Sequence, residues 1–276
     1  MIEETRDRSL RETVEYPESD GQPMGETDLH VHALVDALQL LSDHFAARDD
    51  VYVGANNFLY WTEGDPSCCV SPDTYVVFGV PPGRRRVFKT WVEGRTPAFV
   101  LEITSRKTRR NDQREKLSTY RDELCVPEYF LFDPEQEWIP GHLRAFRDDG
   151  QRYRELAPDL ETGRIRSEQL GLELGVVRGE LRFYLPGAAE PLPTRAELAA
   201  RAKAEAEQQR AEAERQRAEA ERQRAEAERQ RAEAERQRAE AERKQAEAGQ
   251  QRERAEQAEA ELTRMREELE RLRGSI

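Results

Sequence analysis

The stretch PAFVLEITSRKTRRNDQREKLSTY, Pro97 to Tyr120, decides how the rest of the chain is read. Its first half, Ala98, Phe99, Val100, Leu101 and Ile103, is an apolar run of strand length. One acid, Glu102, interrupts that run. Six bases then follow within eleven residues: Arg106, Lys107, Arg109, Arg110, Arg114 and Lys116. A carboxylate in an inward-facing strand is costly unless a base or a bound cation offsets its charge. A helix capped by Asp112 follows, QREKLSTYRDEL, with Leu117, Tyr120 and Leu124 on one face.

Upstream, TDLHVHALVDALQLLSDHFAAR reads as a helix capped by Thr27 or Asp28, with Leu34, Leu38, Leu41 and Phe45 as its buried face. His30 and His32 flank its start and read as capping or surface groups. VYVGANNFLYW is a first strand, in which Asn56 and Asn57 either line a cleft or turn a bulge. CCVSPDTYVVFGV is a second strand, and its Val76, Val77 and Phe78 imply burial on both faces. AFVLEIT is the third. Downstream, PEYFLFDP is a fourth strand, stopped at Asp133-Pro134. Two hairpins follow, turning at Asp149-Gly150 and at Gly179. The order helix, three strands, helix, strand is that of an α/β or α+β domain with a mixed sheet. Residues 1–27, rich in charge, Gly and Pro, form an irregular lead-in.

From Thr194 the composition changes to little but Ala, Glu, Gln and Arg. The segment 194–276 holds 20 Lys and Arg against 21 Asp and Glu, so nearly all of the formal net charge of −12 belongs to the first 193 residues. That acidity argues against tight non-specific nucleic-acid binding, which needs clustered Lys and Arg, though a local basic patch can still provide it. Cys68, Cys69 and Cys125 contain no C-x-x-C pair, so metal fingers and disulfide scaffolds are not expected. The residues up to Asp20 are charged and lack an apolar signal core, and no apolar run is long enough to span a membrane. The expected setting is the reducing cytoplasm.

The tail repeats RAEAERQ from Arg210 to Lys244. Its register is set from the far end, where Ala258, Leu262, Met265, Leu269 and Leu272 alternate in steps of four and three, the d-a-d-a-d of a heptad. Counting back by sevens places Ala206 to Ala255 at a, Gln209 to Gln237 at d, Arg210 to Arg238 at e and Glu212 to Glu240 at g. A parallel pair sets Glu212 against Arg217 of the partner, whereas an antiparallel pair sets like charges together. The expectation is a parallel homo-oligomer, a dimer, through residues 206–272, weak along its Ala/Gln seam and clasped by the last heptads. The alternative is a lone charged helix held by Arg-to-Glu pairs such as Arg215 with Glu219. Thr194 and Glu197 form a capping box, Gly274 is a stop, and the helix would run roughly 120 Å at 1.5 Å per residue.

The chemistry gathers around Glu102. Asp73, introduced by Ser71-Pro72, lies on the preceding strand, and pairing of the two strands points both acids into one cleft. Two carboxylates make a hard oxygen site suited to Mg2+ or Mn2+. Gln113, Lys116 and Tyr120 share one face of the helix that follows, so Lys116 looks into the cleft and the arginines before it lie at the rim. The plainer readings are a strand acid paired with Arg106 or Lys116, an Asp that ends a turn, and a solvated basic loop.

These motifs resemble a known superfamily. Pro-Asp on one strand, Glu-Ile-Thr on the next and a helix bearing Lys resemble the PD-(D/E)XK nucleases, and the αβββαβ order matches their restriction-endonuclease-like core. More narrowly, YPESDGQPMGETDLH, VSPDTYVVFGVP, FVLEITSRKTRRNDQREKLSTY and VPEYFLFDP resemble the bacterial "putative restriction endonuclease" family, whose members often carry a charged helical tail. The resemblance covers roughly residues 15–190 and implies three parts: the lead-in 1–27, a restriction-endonuclease-like domain over 28–193, and the heptad tail 194–276. It implies a Mg2+- or Mn2+-dependent DNA endonuclease, with Asp73, Glu102 and Lys116 catalytic. Asp73 and Glu102 would be the metal ligands, the shell being completed by the Ile103 carbonyl or a water. Glu26, Gln113 and Tyr120 would be supporting groups, and Arg106, Lys107, Arg109 and Arg110 would bind phosphate. The motif's Lys is replaced by Thr104, and the resemblance points to Lys116 as its migrated equivalent, with Gln113 as a substitute. The competing expectation is a non-catalytic nuclease-fold interaction protein oligomerised by its tail.

Overall fold

The structure, a computed structural model of the chain, describes residues 14–19, 27–105 and 115–273. They fall in two compact units, residues 1–200 and residues 201–276.

In the first unit, α1 (Asp28–His44) starts at Thr27, whose hydroxyl accepts from the His30 amide at 3.3 Å. A six-stranded sheet has the order β1-β4-β6-β7-β8-β9. Its strands are β1 (Val51–Gly54), β4 (Thr74–Phe78), β6 (Phe99–Ile103), β7 (Glu128–Phe132), β8 (Leu143–Asp148) and β9 (Tyr153–Glu155). All pairs are antiparallel except β6 with β7, so the sheet is mixed as expected.

The central strands are buried on both faces, and alternate residues serve separate cores. Val76, Phe99, Leu101, Ile103, Phe130 and Phe132 pack with Ala37, Leu40, Leu41 and Phe45 of α1. The hairpin sheet β10 (Ile165–Ser167), β11 (Leu172–Val177) and β12 (Glu180–Tyr184) joins the same core. Tyr75, Val77, Val100, Tyr129 and Leu131 face the other way, towards Tyr120 and Leu124. Both anticipated hairpins form. The second turns through Arg178 and Gly179, with φ of 54° and 84°, the backbone that a tight two-residue turn needs.

Three expectations are corrected. VYVGANNFLYW is two strands, because Asn56 takes φ of 50° and turns the chain, which Asn tolerates better than most residues. Its second half, β2 (Leu59–Tyr60), joins a separate small sheet with β3 (Cys69–Val70) and β5 (Phe88–Lys89). CCVSPDTYVVFGV is likewise split, β3 ending before Ser71-Pro72 and β4 starting at Thr74. A short helix, α2 (Thr90–Glu93), follows β5 and was not foreseen. Without these insertions the order remains αβββαβ.

The third correction concerns the helix after β6. Residues 106–114, including the Asp112 cap, lie outside the described residues. From Lys116 the chain makes a short α3 (Lys116–Ser118) and then a wider π-turn (Thr119–Glu123). Leu124 donates to the Thr119 carbonyl, and Cys125, with φ of 49°, lets Val126 reach back to the Tyr120 carbonyl at 2.8 Å. The wide closure buries Tyr120 and Leu124 completely.

The second unit is helical. α4 (Arg195–Arg273) begins in the first unit at the expected capping box. The Thr194 amide donates to Glu197 at 2.9 Å, and the Glu197 amide donates to the Thr194 hydroxyl at 3.2 Å. Gly274 lies outside the described residues. Among the described residues, no helix is long and apolar enough to cross a membrane.

Candidate active site

The register of β4 on β6 pairs Thr74 with Leu101, so the next step sets Asp73 opposite Glu102. The strand pairing assumed from sequence therefore holds, and the register sets the two acids opposite each other at one end of these two interior strands. Asp73 is 8% exposed, and its Oδ2 accepts from the Ile103 amide at 2.7 Å, which ties the end of β4 to β6 by a side chain. Its Oδ1 lies 3.4 Å from Nε2 of His30. Burial pushes the Asp73 carboxyl upward, but His30, the Lys116 charge and the Ile103 amide outweigh it and hold the group below the usual carboxylate value. Asp73 is thus an anion at neutral pH.

Glu102 is fully buried. Its Oε2 accepts from Lys116 Nζ at 2.8 Å, and its Oε1 accepts from the Tyr120 hydroxyl at 2.5 Å. Lys116 and Tyr120 are four residues apart, so both descend on Glu102 from one side of the helical turn. Burial, then the negative charge of Glu102, pushes the Tyr120 phenol well up, so it stays protonated and donates. Thr104, two residues beyond Glu102, is buried, and its Oγ1 has no hydrogen-bond partner among the described residues.

Asp73, Glu102, Lys116 and Tyr120 are thus brought together. Glu26, Gln113, Arg106, Lys107, Arg109 and Arg110 lie outside the described residues. His30 is a correction: it is 3% exposed and faces Asp73, whereas His32 is exposed. The signal was available, since His30, Leu34, Ala37 and Leu41 step by four, three and four along the buried face of α1.

The donor set fits a hard divalent ion. Every candidate ligand is an oxygen: the Asp73 and Glu102 carboxylates and the Ile103 carbonyl. Among the described residues no group of three or more His, Cys, Asp or Glu side chains is arranged to hold a metal ion, so a closed protein cage is not on offer. Mg2+ is commonly held by one or two carboxylates and retains waters for the rest.

A family model described as "Putative restriction endonuclease" (Uma2) matches residues 4–183. The chain belongs to that family. In this Uma2 chain the shared region runs from the lead-in into β12, and α4 lies beyond it. Among solved structures the chain is similar to one described as a putative nuclease belonging to DUF820 from Anabaena variabilis. The identity is 14%, over 54% of this chain and 76% of that one, with a TM-score of 0.39. No curated protein matches the chain.

Proposed function

We propose that the chain is a metal-dependent DNA endonuclease. The observation that carries this reading is the opposition of Asp73 and Glu102 across β4 and β6, with Lys116 on Glu102 and family membership behind it. Asp73 and Glu102 would hold Mg2+ or Mn2+, with the Ile103 carbonyl or water completing the shell. When bound, the ion would supply Lewis-acid stabilisation and lower the pKa of a water. Lys116 places a fixed positive charge beside Glu102, where it can orient the attacking water or meet charge growing on phosphate. Tyr120 holds the Glu102 carboxylate by its other oxygen. Arg106, Lys107, Arg109 and Arg110 would track the phosphate backbone, a role read from sequence.

The test is nicking of supercoiled plasmid by the purified chain. Conversion to open circles is expected with Mg2+ or Mn2+ and is stopped by a chelator. A plasmid left intact at every metal concentration would sink the enzyme reading. It would favour a nuclease-fold binding protein, in which the Lys116–Glu102 pair is only structural.

We also infer that the tail pairs with a second copy in parallel. Leu262, Met265 and Leu269 are more than half exposed in the single chain. Among the described residues no intrahelical ion pair forms within the repeats from Arg210 to Arg238; the helix pairs are Lys203 with Glu207, Lys244 with Glu240 and Arg243 with Glu247. In those repeats every i,i+4 pair has Arg before Glu, the poorer order within one helix, whereas g-to-e pairing across a parallel dimer matches Glu with Arg. Ending the chain at Glu205 keeps the capping box and should leave sedimentation equilibrium reading the mass of one shortened chain, where the full-length protein reads that of two. A mass of two shortened chains removes the tail from the interface.

A further inference from the structure

His30 occupies the third position of α1, fixed there by the Thr27 cap, and its ring is buried. Histidines on the buried faces of helices are usually packing groups. This one sets Nε2 3.4 Å from Oδ1 of Asp73, within ion-pair reach of a carboxylate at the candidate centre. The other Asp73 oxygen is held by the Ile103 amide at 2.7 Å. The terminal torsion of an aspartate is broad, so one contact leaves the carboxylate free to rock. The Ile103 hydrogen bond from β6 holds one oxygen, and the His30 ring, in ion-pair contact from α1, limits how far the other can swing. A ligand already aimed gives up less freedom when an ion arrives.

We propose that His30 is a positioning residue for Asp73: it sets the orientation of that carboxylate and, through it, the affinity of the cleft for a hard divalent cation. The inference rests on the metal-site reading above. It assigns to α1 a role in the site beyond packing, and it makes the cap at Thr27 part of the same device, since the cap fixes where the ring stands.

Mn2+ binding to the full-length chain, read by electron paramagnetic resonance of the free ion, tests it without reference to turnover. Asp73→Ala is expected to lose binding. His30→Ala is expected to weaken it by about tenfold to a hundredfold, the usual effect of removing a group that orients a ligand. His30→Gln carries an amide nitrogen near the place of Nε2 and should retain most of the affinity, while melting with His30→Ala. Wild-type affinity in His30→Ala, or equal loss in both His30 variants, overturns the proposal and leaves the metal site standing. Equal, negligible binding by the wild type and Asp73→Ala overturns the metal site itself, and the role of His30 with it.

Discussion

Glu102→Gln is expected to reduce metal-dependent nicking by about a thousandfold while leaving the fold in place. Glutamine keeps an oxygen for the Tyr120 hydroxyl and a similar volume, so packing is preserved, while the Lys116 ammonium loses its acceptor and some stability goes with it. Asp73→Asn should behave alike, since an amide oxygen can still accept from the Ile103 amide. Lys116→Ala separates two roles for its ammonium group. If Lys116 acts on the reacting phosphate or water, its loss should cost about a hundredfold or more. If it is only the counterion of Glu102, nicking should survive and thermal stability should fall. Thr104→Lys sharpens the test. Thr104 stands two residues after Glu102, on the same face of the extended chain, and its side chain is buried beside the cluster. Placing Thr104→Lys on the Lys116→Ala background should recover part of the activity if Lys116 has taken over the duty of the strand lysine. A double variant as inactive as Lys116→Ala would refute that equivalence. Melting temperatures of all variants must accompany the rates.

The parts of this fold that were legible are those with a repeating signal. The both-faces burial of β4 follows from its run of Val76, Val77 and Phe78, and the turn at Gly179 from its place between two strand-like runs. The small sheet of β2, β3 and β5 gave no such signal, because each strand is two residues long and carries no period. Asn56 fits either a cleft lining or a turn by sequence, and its positive φ decides for a turn. At the site, Asp73 and Glu102 could be paired from the strand order alone. Choosing Lys116 from six nearby bases required the helical face shared with Tyr120. His30 reads as a capping or surface group from its place near a helix start, although its spacing to Leu34, Ala37 and Leu41 marks it as inward. The widened turn from Thr119 has no sequence period of its own and had to be seen.

Glu128→Ala is expected to destabilise the first unit by about 3 kcal/mol, read as a fall in the urea midpoint. Glu128 opens β7 and is, like Glu102, a fully buried acid in an apolar strand. Its partners differ in kind. One oxygen accepts from Arg147 and from the Glu168 amide, each at 2.9 Å. The other accepts from the Ser167 hydroxyl at 2.5 Å. Arg147 lies opposite it on β8, and Ser167 ends β10, so this carboxylate staples the main sheet to the hairpin sheet. Truncation removes one acceptor from Arg147 and leaves the Ser167 hydroxyl without its own, and the loss sits at the lower end of the usual range because Arg147 keeps Glu168 at 2.7 Å and the Arg166 carbonyl at 2.9 Å and is 27% exposed. Sequence could not separate the two acids: FVLEI and PEYFLF present the same lone carboxylate, and the partners that distinguish them lie 14 residues away for Glu102 and 39 for Glu128. The contrast is itself testable. Glu128→Ala should keep Mn2+ affinity per folded molecule, whereas Glu102→Gln should lose it. Loss of Mn2+ binding by folded Glu128→Ala would mean that the two buried acids are not independent.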